Sequence, residues 1–146
     1  MTQAKHVLIA EDTDGDFFML RKAFTRAGLD HVLHRVRDGV ETLAYLTGQP
    51  PYADRKRWPV PDLLILDLLL PGLNGLDALT YLRRELKLQI PVVVLSASLV
   101  PPEMKRALQL GASDYFVKPI TFTTMIELVK TMNNSWLSES TNPKKR

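Results

Sequence analysis

Apolar positions in this chain come in short, dense runs separated by longer stretches where they recur every three or four residues. Val7-Leu8-Ile9-Ala10, Leu63-Leu64-Ile65-Leu66-Asp67-Leu68-Leu69-Leu70 and Val92-Val93-Val94-Leu95 are the dense runs. Runs this apolar predict strands covered on both faces, as in parallel sheets. Val32–Val36 alternates imperfectly and predicts a partly exposed strand at the sheet edge, and Tyr115-Phe116-Val117 predicts a fifth strand. Between the runs, helical spacing takes over. Phe17, Leu20, Phe24 and Ala27 predict a helix that starts near Asp14-Gly15 and closes at Gly28 in a left-handed cap. A second helix starts at Asp38-Gly39, buries Val40, Leu43, Ala44 and Leu46, and ends near Gly48. Leu76, Leu79, Leu82 and Leu86 mark a third helix. A fourth enters at Pro101-Pro102-Glu103 and closes at Gly111, and Phe122, Met125, Val129, Met132 and Trp136 mark the last.

Strand and helix thus alternate five times. This order predicts an α/β fold: a flavodoxin-like, doubly wound five-stranded parallel sheet of order 2-1-3-4-5 with five helices and right-handed crossovers. Gly48–Pro61 breaks the rhythm, because its four prolines forbid regular structure. Arg55-Lys56-Arg57-Trp58 within it mixes charge with an aromatic ring and offers a contact point. The plainer expectation is a solvated connector with Trp58 folded back onto the body.

At 146 residues the chain is long enough for one cored domain, expected to span residues 1–146 with its core at about 5–137 and a polar tail at 138–146. No apolar run approaches the ~20 residues of a membrane span, and the N-terminus has no secretion-signal pattern. The absence of cysteine excludes disulfides and thiolate metal sites and fits a cytoplasmic protein. The net charge of +3 comes partly from Lys144-Lys145-Arg146. No basic stripe on a folded face points to nucleic acid. The histidines carry little: His31 and His34 are too poorly placed on a strand to share a metal, and His6 is expected to be solvated.

The chemistry gathers where the strands stop. Pro71 cannot join a sheet ladder, so the third strand ends before it and Asp67 sits at or near its carboxyl end. Glu11 and Asp12 follow strand one, Ser96 ends strand four and Lys118 follows strand five. In a sheet of this order, ligands bind beside the carboxyl end of the first strand. Carboxylates crowded there repel unless one takes a proton or a cation joins them. Oxygen-only donors without His or Cys favour a hard ion, which makes Mg²⁺ the natural candidate. Lysine and serine beside such an ion suit phosphoryl transfer, and an aspartate can itself be the nucleophile. A plain Lys118–carboxylate salt bridge is the structural alternative.

Glu11-Asp12, Asp67 through Gly75, Leu95-Ser96-Ala97-Ser98, Gly111-Ala112-Ser113 and Tyr115-Phe116-Val117-Lys118-Pro119 together resemble the receiver domain of bacterial two-component response regulators. The resemblance covers roughly residues 5–135. It implies that Asp67 accepts a phosphoryl group from a histidine kinase. It implies Mg²⁺ held by Asp12, Asp67 and the backbone carbonyl of Leu69, with Glu11 helping directly or through water. It gives Ser96 and Lys118 the phosphoryl oxygens and Tyr115 a switch role, and makes Lys118-Pro119 a cis peptide. It implies a signalling protein, not an enzyme, that assists its own phosphorylation and dephosphorylation.

The Gly48–Pro61 insertion, the Pro91–Leu95 strand and Ser135-Trp136-Leu137 resemble a narrower group, the single-domain regulators paired with phytochrome-type, light-sensing histidine kinases. Many of that group dimerise, so a homodimer is expected on the same ground. No residues remain for an output domain, so output is expected through a partner, a dimer or onward transfer to a histidine phosphotransfer protein. Leu69 and Ser98 depart from the family pattern: neither side chain reaches far enough to orient an attacking water, which predicts slow self-dephosphorylation. Two rival readings are a small aspartate-nucleophile phosphatase and a binding module that never takes phosphate. The first lacks its expected second Asp, since that position is Leu69. The second is disfavoured by the intact set Asp12, Asp67, Ser96 and Lys118.

Overall fold

The computed structural model describes residues 4–97 and 101–138. Ser98 and the basic tail Lys144-Lys145-Arg146 lie outside the described residues. Five strands run β1 (His6–Ala10), β2 (Val32–Val36), β3 (Leu63–Leu66), β4 (Val92–Ser96) and β5 (Asp114–Val117). The helices between and after them are α1 (Asp14–Arg26), α2 (Gly39–Thr47), α3 (Gly75–Arg84), α4 (Pro101–Gln109) and α5 (Phe122–Met132). One π-helical turn, Asn133–Leu137, continues α5 and carries Trp136. All strand pairs are parallel, and the sheet order is β2-β1-β3-β4-β5. This is the expected flavodoxin-like topology, with the weak strand Val32–Val36 at one edge.

The pleat sorts the core. Successive strand residues point to opposite faces, so each apolar run feeds two layers. Val7, Ile9, Leu63, Ile65, Val93 and Leu95 pack with α1 (Leu20, Ala23, Phe24) and α5 (Met125, Val129, Met132). Leu8, Ala10, Leu64, Leu66 and Val92 pack with α2 (Tyr45, Leu46) and α3 (Leu79, Leu82). Full burial of a side chain of this size stabilises by ~1.5–3 kcal/mol, and the central strands β1, β3 and β4 supply it on both faces. α1 closes through Ala27 onto Gly28 at φ 75°, and α2 ends on Gly48 at φ 72°, the left-handed closures that glycine accepts without strain.

β3 stops at Leu66, earlier than Pro71 alone requires. Leu68 and Leu70 nevertheless reach the core from the loop and are buried, while Leu69 between them is 60% exposed. The apolar run therefore continues as a loop that folds back on α3. Gly75 closes this loop by donating its N–H to the Leu68 carbonyl at 3.1 Å. A side chain there would strike the Asp67 carbonyl and stand 2.6 Å from Leu68 Cα.

The 48–61 segment is anchored. Arg55 donates from Nη1 to the carbonyls of Tyr45 and Trp58 and from Nη2 to that of Leu46, each at 2.9 Å. Trp58 lies against Tyr45, Tyr52 and His34 with ring centroids 5.4–6.2 Å apart. Trp58 thus folds back as expected, but the segment is more firmly tied than a bare connector. His6 is not solvated: as the first residue of β1 it is half-buried, with Nδ1 3.0 Å from Nε2 of His34 on the neighbouring strand. His31 stands apart, accepting from the Lys5 N–H at 3.0 Å and meeting Asn133 Oδ1 at 2.7 Å.

Candidate functional site

Ladder register builds the site. Ala10 of β1 pairs with Leu66 of β3, and the Asp67 N–H donates to the Ala10 carbonyl at 3.1 Å. Glu11 and Asp12 therefore leave β1 beside the point where Asp67 leaves β3. A carboxylate oxygen from each of Glu11, Asp12 and Asp67 lies within 4.8 Å of the others. Glu11 and Asp67 are each only 5% exposed, while Asp12 faces solvent. Two buried carboxylates at this spacing are costly without positive charge nearby.

Lys118 supplies that charge. Val117 pairs with Ser96, and the Lys118 N–H donates to the Ser96 carbonyl at 2.8 Å, so the lysine emerges where β5 ends. From there to β3 is two strand spacings, about 10 Å, which a long side chain crosses over the end of β4. Its ammonium reaches Glu11 Oε1 at 2.7 Å, Asp16 Oδ2 at 2.8 Å and Asp67 Oδ2 at 2.9 Å. Burial works to lower the Lys118 pKa, but hydrogen bonds to Asp16, Glu11 and Asp67 outweigh it and hold the ammonium charged. Burial raises the Glu11 carboxyl above its usual range, against the opposing pull of Lys118.

The remaining expected residues take varied places. The Leu69 N–H donates to Asp67 Oδ1 at 3.0 Å, so this backbone holds the carboxylate, while the Leu69 side chain stands exposed at the rim. Ser96 is fully buried at the end of β4. Tyr115 is buried in a small cluster with Leu68, Val94 and Ala107, tucked under α4. The expected cis peptide at Lys118-Pro119 is a correction: among the described residues the cis bond is Pro50-Pro51, and Lys118-Pro119 is trans. Trans is the default of an X–Pro bond, and from it the lysine already spans to three carboxylates.

Asp16 was not anticipated. It lies in the first turn of α1, where Asp14 and Asp16 read simply as acids complementing the positive end of the helix. Asp14 does something different, binding Arg35 at 2.7 Å and Arg37 at 3.0 Å. No spacing signal links Asp16 to Lys118, because their meeting depends on the Lys118 side chain reaching from the end of β5 to the first turn of α1.

A family model described as the response regulator receiver domain matches residues 7–130. The chain belongs to this receiver family. The receiver is 29% identical to the response regulator Rcp1 of Synechocystis over 140 residues, covering 95% of this chain and 93% of that one. It superposes on the phosphorylated cyanobacterial phytochrome response regulator RcpA with a TM-score of 0.84 and 32% identity, covering 97% and 99% of the two chains. A response regulator in red light signalling of R. palustris, RPA3017, gives a TM-score of 0.88 at 32% identity, covering 95% of the receiver and 98% of its own chain. Rcp1 has also been solved in a Mn²⁺-bound form, TM-score 0.80. In the receiver, three carboxylates converge, all of them oxygen donors. Among the described residues no helix is long and apolar enough to cross a membrane.

Proposed function

We propose that this receiver is a phosphoacceptor in two-component signalling, taking a phosphoryl group on Asp67 from a sensor histidine kinase of the phytochrome type. The observation that carries the reading is the Asp67 carboxylate, buried at the end of β3, 2.9 Å from the Lys118 ammonium and within 4.8 Å of acid oxygens on Glu11 and Asp12. In the transfer, an Asp67 oxygen attacks phosphorus, the P–N bond to the kinase histidine breaks, and its electron pair returns to the imidazole. Lys118 shifts from carboxylate oxygens to the incoming phosphoryl oxygens, and the Ser96 hydroxyl donates a hydrogen bond to them.

Glu11, Asp12, Asp67 and the Leu69 carbonyl are the groups that would hold Mg²⁺. When bound, the ion supplies the positive charge that lets carboxylate and phosphoryl oxygens meet. The buried Glu11 and Asp67 fit that role, since their mutual repulsion is answered only by Lys118 among the described residues. Phosphorylation adds about −1.5 to −2 charges at the sheet end. Ser96 then moves toward the phosphoryl group and Tyr115 changes rotamer, shifting the population of the β5–α4–α5 face toward partner binding. The partner is a second copy of the chain or a histidine phosphotransfer protein. Met104 and Leu108, four apart on one side of α4, and Ile120 after β5 are exposed and support such a contact.

The test is incubation with acetyl phosphate and Mg²⁺, read by intact mass. The wild-type chain gains one phosphoryl group and Asp67→Asn gains none. An equal gain in both proteins contradicts the reading.

A further inference from the structure

An ammonium has three N–H donors, and Lys118 commits all of them to carboxylates: Glu11, Asp16 and Asp67. Two of these acids, Glu11 and Asp67, belong to the convergent set that would hold a divalent cation, together with Asp12. Asp16 does not belong to it. It stands on α1, its side chain 44% exposed, and reaches the lysine at 2.8 Å from outside the convergent set.

Lysine and a divalent cation therefore compete for the same oxygens. Mg²⁺ coordinates at about 2.0–2.1 Å, closer than any ammonium contact, so its arrival pushes the like-charged Lys118 away from Glu11 Oε1 and Asp67 Oδ2. A lysine displaced from both without another partner would leave a half-buried charge unpaired, which is costly. Asp16 Oδ2, already 2.8 Å away, is the one contact that survives this displacement.

We propose that Asp16 is a positioning residue: it holds Lys118 aside when a divalent cation enters the Glu11–Asp12–Asp67 cluster, and so strengthens cation binding there. The inference rests on the divalent-dependent reading given above. Asp16 acts on the cation through Lys118, and its own oxygens need not touch the ion.

The experiment is a titration with Mn²⁺ as the probe, followed by loss of the free-ion electron paramagnetic resonance signal, on the full chain. Asp16→Asn weakens Mn²⁺ binding by about fivefold, the upper range for a partly exposed charge pair. Asp16→Glu restores most of it. Asp14→Asn removes the same charge two residues away, from a pair with Arg35 and Arg37, and changes binding less than about twofold. In a Lys118→Met background, Asp16→Asn has at most a small effect. Unchanged affinity in Asp16→Asn overturns the proposal. So does an equal loss in Asp14→Asn, or a full loss that persists without Lys118, since either makes the effect plain long-range charge. Absence of Mn²⁺ binding in the wild type overturns the divalent reading itself, and this inference with it.

Discussion

At the residue scale, the carboxylate at position 67 is held from several sides. Its backbone N–H is bonded to Ala10, its Oδ1 accepts from the Leu69 N–H, and its Oδ2 accepts from Lys118. Two residues on, the Leu69 side chain is 60% exposed and has no group to orient a water. On the proposed reading, the Leu69 side chain can offer no hydrogen bond to guide a water that attacks a phosphoryl group on Asp67. Leu69→Asn is expected to shorten the phosphorylated lifetime several-fold, measured as decay of the phosphorylated mass after acetyl phosphate is removed. An unchanged lifetime would mean that another group governs water access. The positions of Asp67, Glu11, Asp12 and Lys118 were legible in the sequence because each follows an apolar run whose end marks a strand end. Asp16 was not, since a first-turn acid is ordinary helix chemistry until the tertiary crossing brings Lys118 to it.

At the element scale, the same logic explains what could and could not be read. The alternation of dense apolar runs with helical spacing fixes five strands and five helices, because burial on both faces leaves a parallel strand little polar character. It overestimates β3, where Leu68 and Leu70 are buried from a loop and give the same signal as strand residues. The proline-rich 48–61 segment carries no periodicity, so its docking is invisible until Arg55 is seen closing the end of α2. That guanidinium satisfies three backbone carbonyls, those of Tyr45, Leu46 and Trp58. Hydrogen bonds from a charged donor are worth more than neutral ones, and their loss leaves half-buried acceptors unmet. Arg55→Ala is expected to destabilise the fold by about 2 kcal/mol. Urea denaturation followed by circular dichroism measures it, with phosphorylation of Asp67 unaffected in the folded protein. A loss near zero would show the segment to be a passive connector.

At the scale of the whole molecule, the functional end of the sheet and its opposite end carry different chemistry. The acids and Lys118 gather at the carboxyl ends of the strands. At the amino end, His6 and His34 share a ring–ring hydrogen bond of 3.0 Å, flanked by Tyr45, Trp58 and Asp62, whose carboxylate accepts from the His6 backbone N–H. Burial, and then the nearby His6, lower the His34 pKa from its ordinary 6.5. The unfolded chain therefore binds a proton that the folded chain resists. Stability from this group is present above pH ~6.5 and is lost as pH falls below it. Urea midpoints should drop between pH 7.5 and 5.5 in the wild type, and His34→Phe should flatten that drop. An identical pH slope in both proteins would assign the acid sensitivity elsewhere. His6 reads as solvated from sequence because the strand order alone does not reveal the register that brings its ring against His34.

The central claim is that Asp67 itself carries the phosphoryl group. Borohydride reduces an acyl phosphate and converts the modified aspartate to homoserine. After treatment with acetyl phosphate and Mg²⁺, reduction and peptide mapping should find homoserine at position 67 and at no other acid of the cluster. Homoserine at Asp12 or Asp16, the longer alcohol 2-amino-5-hydroxyvalerate at Glu11, or no reduced residue at all would contradict the account.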